Sequence, residues 1–236
     1  MVVALLYNIL FVIKVKQTNE SPNTLCFFDI MKVKRWLRAM YNWNNRRRLK
    51  NRDFTLIASN CVGGTILHDL NLPFNSPFVN LWLEPKDFLK FCERMNHYLD
   101  LDFRFIKIDG INYPIGVLDD IKIYFQHYSS EEDAESAWIR RKQRIDMNNI
   151  FVMFTDRDGC TYEDLIRFDK LAIKNKVVFT HIKYSGIPSA YYIPGFESET
   201  CVGQLMYSKN KFSLEKYYDA FDYVSWFNGI ISSPFK

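Results

Sequence analysis

The sequence predicts an α/β fold in which a mostly parallel sheet is flanked by helices and carries an antiparallel strand extension. Short apolar runs alternate with helical segments along residues 53–230, as in folds whose parallel strands are joined by helices. The 236 residues are 48% hydrophobic and 25% charged, which excludes disordered and low-complexity classes. Five cysteines without a C-x-x-C pair argue against a disulfide scaffold or a structural zinc site and fit a reducing compartment.

Residues 1–30 are an N-terminal extension without a predicted fold. The apolar run at 2–13 is too short to span a bilayer as a helix, which needs about 20 residues. It also lacks the basic residues before it and the small residues after it that mark a signal peptide. A membrane-dipping segment and a partner-binding strand remain alternatives. We expect Met31 to be the true start, because no helical or strand period joins this segment to the body.

Residues 31–52 are predicted to form a basic amphipathic helix. They hold nine Lys and Arg and no acid, a net charge of +9, whereas residues 53–236 sum to −5. The apolar residues recur at helical spacing: Val33, Trp36, Leu37, Met40 and Trp43. Such a helix either packs on the body with its basic face in solvent or lies on an anionic membrane surface. Specific nucleic-acid binding is not expected, because the other Lys and Arg residues are dispersed among Asp and Glu residues.

Residues 53–230 are predicted to be one α/β domain, followed by a tail at 231–236. The predicted strands are 54–59, 78–83, 103–108, 113–118, 121–126, 150–155 and 177–182. The predicted helices are about 65–70, 85–99, 131–145, 162–172 and 213–228. Their start signals include Pro85, the pair Ser129 and Ser130, and a capping box of Thr161 with Asp164.

The three strands within residues 103–126 leave no room for helices and turn at Asp109-Gly110, so they predict the antiparallel extension. The segment 185–195, rich in Pro, Gly and Tyr, is predicted to be a loop. Its tyrosines make it a candidate lid over a sugar, although a plain surface loop is the simpler interpretation.

The first candidate site follows strand 54–59. Cys61 and Ser59 are candidate nucleophiles, and Asn60, Gly63 and Gly64 are candidate substrate-binding residues. A thiol before a helix feels the positive end of the helix dipole, which lowers its pKa, and unhindered glycine amides can hold an oxyanion or phosphate. The alternative is a tight strand-to-helix turn with an inert, buried cysteine.

The second candidate site is Asp156-Arg157-Asp158, after the apolar run 150–155. Many glycosyltransferases hold a divalent metal and a nucleotide sugar with such an Asp-x-Asp pair, because hard cations prefer carboxylate oxygens. Asp156 and Asp158 are therefore candidate ligands for Mn²⁺ or Mg²⁺, and Arg157 is a candidate substrate contact. In the alternative, Asp158-Gly159 forms a turn and Asp156 caps the next helix.

Two histidines follow predicted strands, His127 after 121–126 and His181 after 177–182. Either can serve as a base toward Cys61 or Ser59, with Asp156 orienting its ring. The alternative for each is a packed histidine with a structural hydrogen bond.

Several long blocks resemble a bacterial family known as domain of unknown function 1919, over about Lys32 to Gly229. The matching blocks lie at 46–61 (RRRLKNRDFTLIASNC), 63–82, 113–128 (YPIGVLDDIKIYFQHY), 138–165 with its IFVMFTDRDGCTYEDL, and 217–229 (YYDAFDYVSWFNG). Val62 stands where a bulkier aromatic is expected. Members of the family are often labelled exopolysaccharide or capsule biosynthesis proteins, and they begin near the basic segment. Ser59-Asn60-Cys61 is also similar to the Gly-Asn-Cys that opens a capsule biosynthesis family thought to bind coenzyme A.

These resemblances imply a glycan context, and together with the site residues they predict a cytoplasmic, membrane-peripheral transferase of exopolysaccharide or capsular polysaccharide assembly. In the leading version an acyl group moves from coenzyme A through Cys61 or Ser59 to a sugar hydroxyl. The alternatives are a metal-dependent glycosyltransferase that uses a nucleotide sugar, and a non-catalytic glycan-binding or assembly factor. The sequence leaves the donor, the acceptor and the oligomeric state open.

Overall fold

The computed structural model describes residues 24–210 and 213–230, with side chains described from residue 32. Most of the predicted extension at 1–30 and the tail at 231–236 lie outside the described residues. The chain divides into two compact units, one ending at Asn42 and the other beginning at Trp43.

The strands are β1 (Thr55–Ala58), β2 (Arg104–Ile106), β3 (Ile115–Leu118), β4 (Ile121–Tyr124), β5 (Ile150–Thr155), β6 (Asn175–Thr180) and β7 (Ala190–Tyr192). The helices are α1 (Thr24–Arg48), α2 (Val62–Leu70), α3 (Pro85–Glu93), α4 (Met95–Asp100), α5 (Glu131–Lys142), α6 (Tyr162–Asp169) and α7 (Tyr223–Phe227), with a 3₁₀ turn at Tyr217–Ala220. The start signals act as predicted, because Ser130 accepts from the Asp133 amide and Thr161 forms a capping box with Asp164.

The main sheet is parallel and has the strand order β1-β5-β6-β7, and a separate antiparallel sheet has the order β2-β3-β4. This confirms the predicted α/β class with its antiparallel extension. The parallel strands are buried on both faces: in β5, Val152 and Phe154 join one apolar cluster while Phe151 and Met153 join the other. Burial on both faces explains why these strands are continuous apolar runs in the sequence.

The two faces of the parallel sheet are covered by different elements. Helices α3, α5 and α6 and the antiparallel sheet contribute to the first cluster. Helix α2 and the C-terminal segment contribute to the second. Helix α2 packs closely on β1 because residue 63 is glycine: a Cβ there would lie 2.7 Å from the Cβ of Ala58.

Helix α1 begins at Thr24, before the predicted start at 31, and ends at Arg48, before the predicted end at 52. Just after the helix ends, the amides of Lys50 and Asn51 donate to the side-chain oxygen of Asn228.

Two predicted elements in the first half of the second unit are wrong. The run 78–83 is not a strand, since Asn80 has a left-handed backbone with φ 61° and Trp82 alone within the run bridges to Tyr124. The predicted helix 85–99 is two helices, because Arg94 leaves the helical region with φ −134° and ψ 42°.

Two further predictions fail near the C-terminus. The predicted loop 185–195 contains β7, whose three residues pair in parallel with β6; a strand this short has too few residues to show a period. The predicted helix at 213–228 is a 3₁₀ turn and a short helix joined through Phe221 and Asp222. Tyr218 in the 3₁₀ turn and Trp226 in the short helix both join the second apolar cluster.

Candidate active site

A cleft lies at the carboxyl edge of the parallel sheet, where open α/β folds bind ligands. Strands β1 and β5 are neighbours in parallel register, with Ala58 opposite Met153, so the segments that follow them meet at this edge. The cleft has a volume of about 240 Å³ and is lined by Asn60, Cys61, Val62, Trp82, Gln126, Arg157, Asp158 and residues 203–206. It therefore combines a thiol, an aromatic ring, side-chain amides, one carboxylate and one cation.

The Cys61 thiol, which lines the cleft, also contacts the imidazole of His127, which lies beside the lining residue Gln126. The Cys61 Sγ lies 3.6 Å from the His127 Nε2, across 66 residues of sequence. His127 lies in the turn that follows β4, and the residue is exposed. The neighbouring Tyr128 is fixed by Arg141, which donates to its hydroxyl and to the carbonyl of Val79. This arrangement places a candidate nucleophile beside a candidate base, the pairing that covalent catalysis requires.

Burial raises the pKa of the Cys61 thiol. The expectation that the helix dipole lowers it is therefore wrong, because loss of water around the sulfur outweighs the amides of the following helix. Cys61 precedes α2 with an αR backbone, and its side chain makes no capping hydrogen bond. The resting form at neutral pH is the thiol, so the sulfur needs a base to become a nucleophile.

The residues around Cys61 shape the turn that presents it. The side chain of Asn60 donates to the Thr155 hydroxyl, and its oxygen accepts from the Val62 amide. Asn60 thus ties the start of α2 to the end of β5 while it also lines the cleft. Ser59 is 4% exposed and its backbone continues the sheet, with its amide donating to Met153 and its carbonyl accepting from Leu83. Ser59 therefore has a structural position, and Cys61 is the one of the two candidate nucleophiles that lines the cleft.

Gly63 and Gly64 are buried behind the cleft and do not contribute to its lining. A Cβ at Gly63 would collide with Ala58, whereas one at Gly64 would reach ordinary contact with Val79 at 3.5 Å. Close packing of α2 on β1 is thus the physical reason for glycine at 63, in place of the predicted oxyanion contact.

Asp156 has its two carboxylate oxygens occupied by protein donors. Oδ2 accepts from the His181 amide at 2.8 Å and lies 2.5 Å from the His181 Nδ1, and Oδ1 accepts from the Val202 amide at 2.7 Å. The side chain of Asp156 is 4% exposed. Asp156 therefore fastens the turn after β6 and the start of the 203–206 cleft wall to the end of β5. His181 is held in this contact, and His127 is the histidine that reaches Cys61.

Asp158 is placed separately from Asp156. Its backbone is left-handed, with φ 60°, and its Oδ2 accepts from the Trp82 Nε1 at 2.9 Å. The Arg157 Nε lies 4.0 Å from the other Asp158 oxygen, and both side chains line the cleft. Among the residues that the structure describes, no group of three or more His, Cys, Asp and Glu is placed to hold a metal ion. The two aspartates thus have different protein partners, which does not fit their predicted pairing around Mn²⁺ or Mg²⁺.

Sequence reasoning missed Trp82, Gln126 and the wall at 203–206. Trp82 lies in the run mistaken for a core strand, and its ring packs on Tyr124 with centroids 4.4 Å apart. Gln126 directly precedes His127 and could have been found from that neighbour. The wall at 203–206 follows no strand, so no local signal marks it; the Gly203 Cα approaches Phe196 so closely that a Cβ would lie 2.4 Å from the ring.

The fold and cleft define an α/β protein with a cysteine–histidine pair at the carboxyl edge of its sheet. The chain belongs to the family described as domain of unknown function (DUF1919), which matches residues 32–228. It is similar to a protein of Haemophilus influenzae described as an uncharacterized protein, with 47% identity over 191 residues that cover 81% of this chain and 92% of the relative. None of the helices in the described part of the chain has the length and apolar character needed to cross a membrane.

Proposed function

We propose that this protein is a cytoplasmic acyltransferase of exopolysaccharide or capsular polysaccharide biosynthesis, which moves an acyl group from coenzyme A through Cys61 to a sugar hydroxyl. The observation that supports it is the 3.6 Å approach of the His127 Nε2 to the Sγ of Cys61, which lines the cleft at the carboxyl edge of the sheet. The cytoplasm is the compartment in which a coenzyme A thioester donor is at hand.

In the first half-reaction the His127 Nε2 takes the proton of the Cys61 thiol, and the sulfur attacks the carbonyl carbon of the donor thioester. A new thioester bond forms to Cys61, and the bond from the acyl carbon to the coenzyme A sulfur breaks. The leaving thiolate takes the proton from the His127 imidazolium and departs as free coenzyme A. His127 must act as a true base here, because burial keeps the Cys61 pKa above its usual value.

In the second half-reaction a sugar hydroxyl attacks the acyl carbon held on Cys61. His127 takes the hydroxyl proton, an ester bond forms to the sugar oxygen, and the bond from the acyl carbon to Cys61 breaks. The proton then passes from His127 to the Cys61 sulfur, which restores the starting thiol. The same histidine serves as base in each half-reaction, as covalent acyl transfer requires.

The lining of the cleft suits a sugar acceptor. Trp82 offers a ring to the apolar face of a pyranose, and its Nε1 donates to Asp158. Asn60, Gln126 and Arg157 bring side-chain amides and a guanidinium to the same cleft. An apolar face with a few placed polar groups is the usual composition of a small-molecule site. We therefore propose that the acceptor sugar stacks on Trp82 and hydrogen-bonds to these polar side chains.

The contacts of Asp156 favour this function over a metal-dependent glycosyltransferase. A metal bound by Asp156 would have to reach a carboxylate whose side chain is 4% exposed and which already contacts the His181 amide, the His181 ring and the Val202 amide.

The test is acylation of the purified full-length protein by acetyl-CoA and longer acyl-CoA thioesters, followed by peptide mass spectrometry. We expect one acyl group on Cys61, released when an acceptor sugar is added. Cys61→Ser should give no thioester, and His127→Gln should slow acylation by about 10²- to 10⁴-fold, the usual range for a general base. Cys201→Ser is the matched control, since Cys201 is also a half-buried free cysteine, and it should acylate normally.

Two outcomes would overturn the proposal. Binding of a nucleotide sugar that depends on Mn²⁺ or Mg²⁺, with no acylation of Cys61, would favour the glycosyltransferase. Binding of free glycans without either reaction, unchanged in Cys61→Ser, would indicate a glycan-binding protein.

A further inference from the structure

Helix α1 carries large apolar side chains on an exposed face. Trp36, Met40 and Trp43 are spaced by four and three residues, which places them along one side of a helix. Their exposed fractions are 59%, 44% and 54%. Lys32 and Arg47 continue the same face at four-residue steps before and after them, and both are exposed. An exposed apolar stripe with basic ends is thus a property of this helix.

The basic residues of this region fall into two groups by their contacts. Arg46 donates to the carbonyl of Asp69, and Arg48 pairs with Asp222 at 2.6 Å, so these two support the fold of the second unit. Arg47 instead lies with its guanidinium carbon 4.7 Å from the centroid of the Trp43 ring. Lys32 and Arg35 are exposed in the first unit. Lys32, Arg35 and Arg47 are therefore exposed cations distinct from Arg46 and Arg48, which contact the second unit.

The charge of the region selects between the partners that could cover the apolar stripe. Residues 31–52 contain nine Lys and Arg and no acid. A second copy of the chain on this face would bring its Lys32, Arg35 and Arg47 close to the same three residues, which costs free energy through like-charge repulsion. The phosphates of a nucleic acid would pair with the basic side chains, but they would not bury the apolar stripe of two tryptophans and a methionine. An anionic lipid surface satisfies both, since it attracts cations and accepts tryptophan at the headgroup level.

We propose that α1 binds the surface of an anionic membrane through Trp36, Met40 and Trp43, with Lys32, Arg35 and Arg47 contacting the lipid headgroups. The helix lies along the membrane plane with its apolar stripe in the headgroup and acyl boundary. This function is independent of the chemistry at Cys61. It would hold the protein at the membrane whether or not the cleft is occupied.

The test is cosedimentation of the full-length protein with phosphatidylcholine vesicles, with and without phosphatidylglycerol. We expect binding to the anionic vesicles, and a loss of binding between 0.1 M and 1 M salt, over which the Debye length falls from about 10 to about 3 Å. Arg35→Gln should weaken binding by about fivefold, the contribution of one basic residue near an anionic surface. Trp36→Ala should weaken it by about tenfold, because a large apolar side chain is lost from the interface.

The matched controls are on α5, where Ile139 and Arg140 are an exposed apolar and an exposed basic side chain. Ile139→Ala and Arg140→Gln should leave vesicle binding unchanged. Circular dichroism of each variant shows that the fold is kept. No donor or acceptor is present in this assay, so its result does not depend on the acyltransferase proposal.

The proposal is overturned if the protein does not bind anionic vesicles at low salt, or if the α5 variants lose as much binding as the α1 variants. A concentration-dependent dimer in size-exclusion chromatography that Trp36→Ala dissociates, without vesicle binding, would assign the face to a second copy. Salt-sensitive binding of DNA or RNA without vesicle binding would assign it to nucleic acid.

Discussion

Replacement of Asp156 by asparagine should destabilise the fold much more than the same change at Asp158. In Asp156→Asn an amide nitrogen, which donates and cannot accept, replaces one of the two carboxylate oxygens. If it replaces Oδ2 it faces the His181 amide and ring, and if it replaces Oδ1 it faces the Val202 amide. At least one buried backbone donor then loses its acceptor, and such a donor costs about 1–3 kcal/mol. With the loss of the charge on the remaining hydrogen bond, we expect the free energy of unfolding to fall by about 2–4 kcal/mol.

Asp158→Asn is the matched control, because its side chain is 31% exposed and the asparagine oxygen can still accept from the Trp82 Nε1. Its cost should stay below about 1 kcal/mol, as for most exposed positions. The assay is equilibrium unfolding in urea, followed by tryptophan fluorescence and far-UV circular dichroism, with equal m-values as the check on two-state behaviour.

The reasoning is refuted if Asp156→Asn changes the unfolding free energy by less than about 0.5 kcal/mol, the range of neutral surface changes. It is also refuted if Mn²⁺ stabilises the wild type and Asp156→Asn removes that stabilisation while leaving the metal-free protein unchanged. Either result would show that the carboxylate is available to a ligand and is not committed to fastening the turns after β6 and before the cleft wall.

Two further predictions concern the turn that presents the thiol. Because burial raises the pKa of Cys61, its alkylation by iodoacetamide at pH 7 should be slower than in the urea-unfolded protein, and the rate should keep rising above the usual thiol pKa of about 8.5. Cys92, whose pKa burial raises further, should react more slowly still. A Cys61 rate at pH 7 above that of the unfolded chain would contradict this. Gly63→Ala should cost about 1–3 kcal/mol of unfolding free energy in urea, the usual cost of overpacking, because its Cβ would lie 2.7 Å from that of Ala58. Gly64→Ala, with its nearest neighbour at 3.5 Å, should cost less, and the reverse order would show that α2 does not pack on β1 as described.

The sequence alone determined the elements whose signals are local. The strands β1, β5 and β6 were predictable because both of their faces are buried, which makes each a continuous apolar run. The starts of α5 and α6 were predictable because a capping side chain and the amide it binds are three residues apart. The parallel character of the main sheet was predictable from the helices between its strands, whereas the strand order was not. The carboxyl edge of a parallel sheet is where such folds bind ligands.

Tertiary structure decided everything that depends on residues distant in sequence. Ser59 and Cys61 are both candidate nucleophiles in the sequence, but Ser59 is buried in the sheet whereas Cys61 lines the cleft and contacts His127. Asp156 and Asp158 form one motif in the sequence, yet their side chains have partners 25 to 76 residues away that separate their roles. The direction of the Cys61 pKa shift was also decided by tertiary structure. The helix dipole depends only on the next few residues, whereas desolvation depends on all the atoms packed around the sulfur. Local patterns thus fix the strands and helix starts, and packing fixes which of the candidate side chains meet.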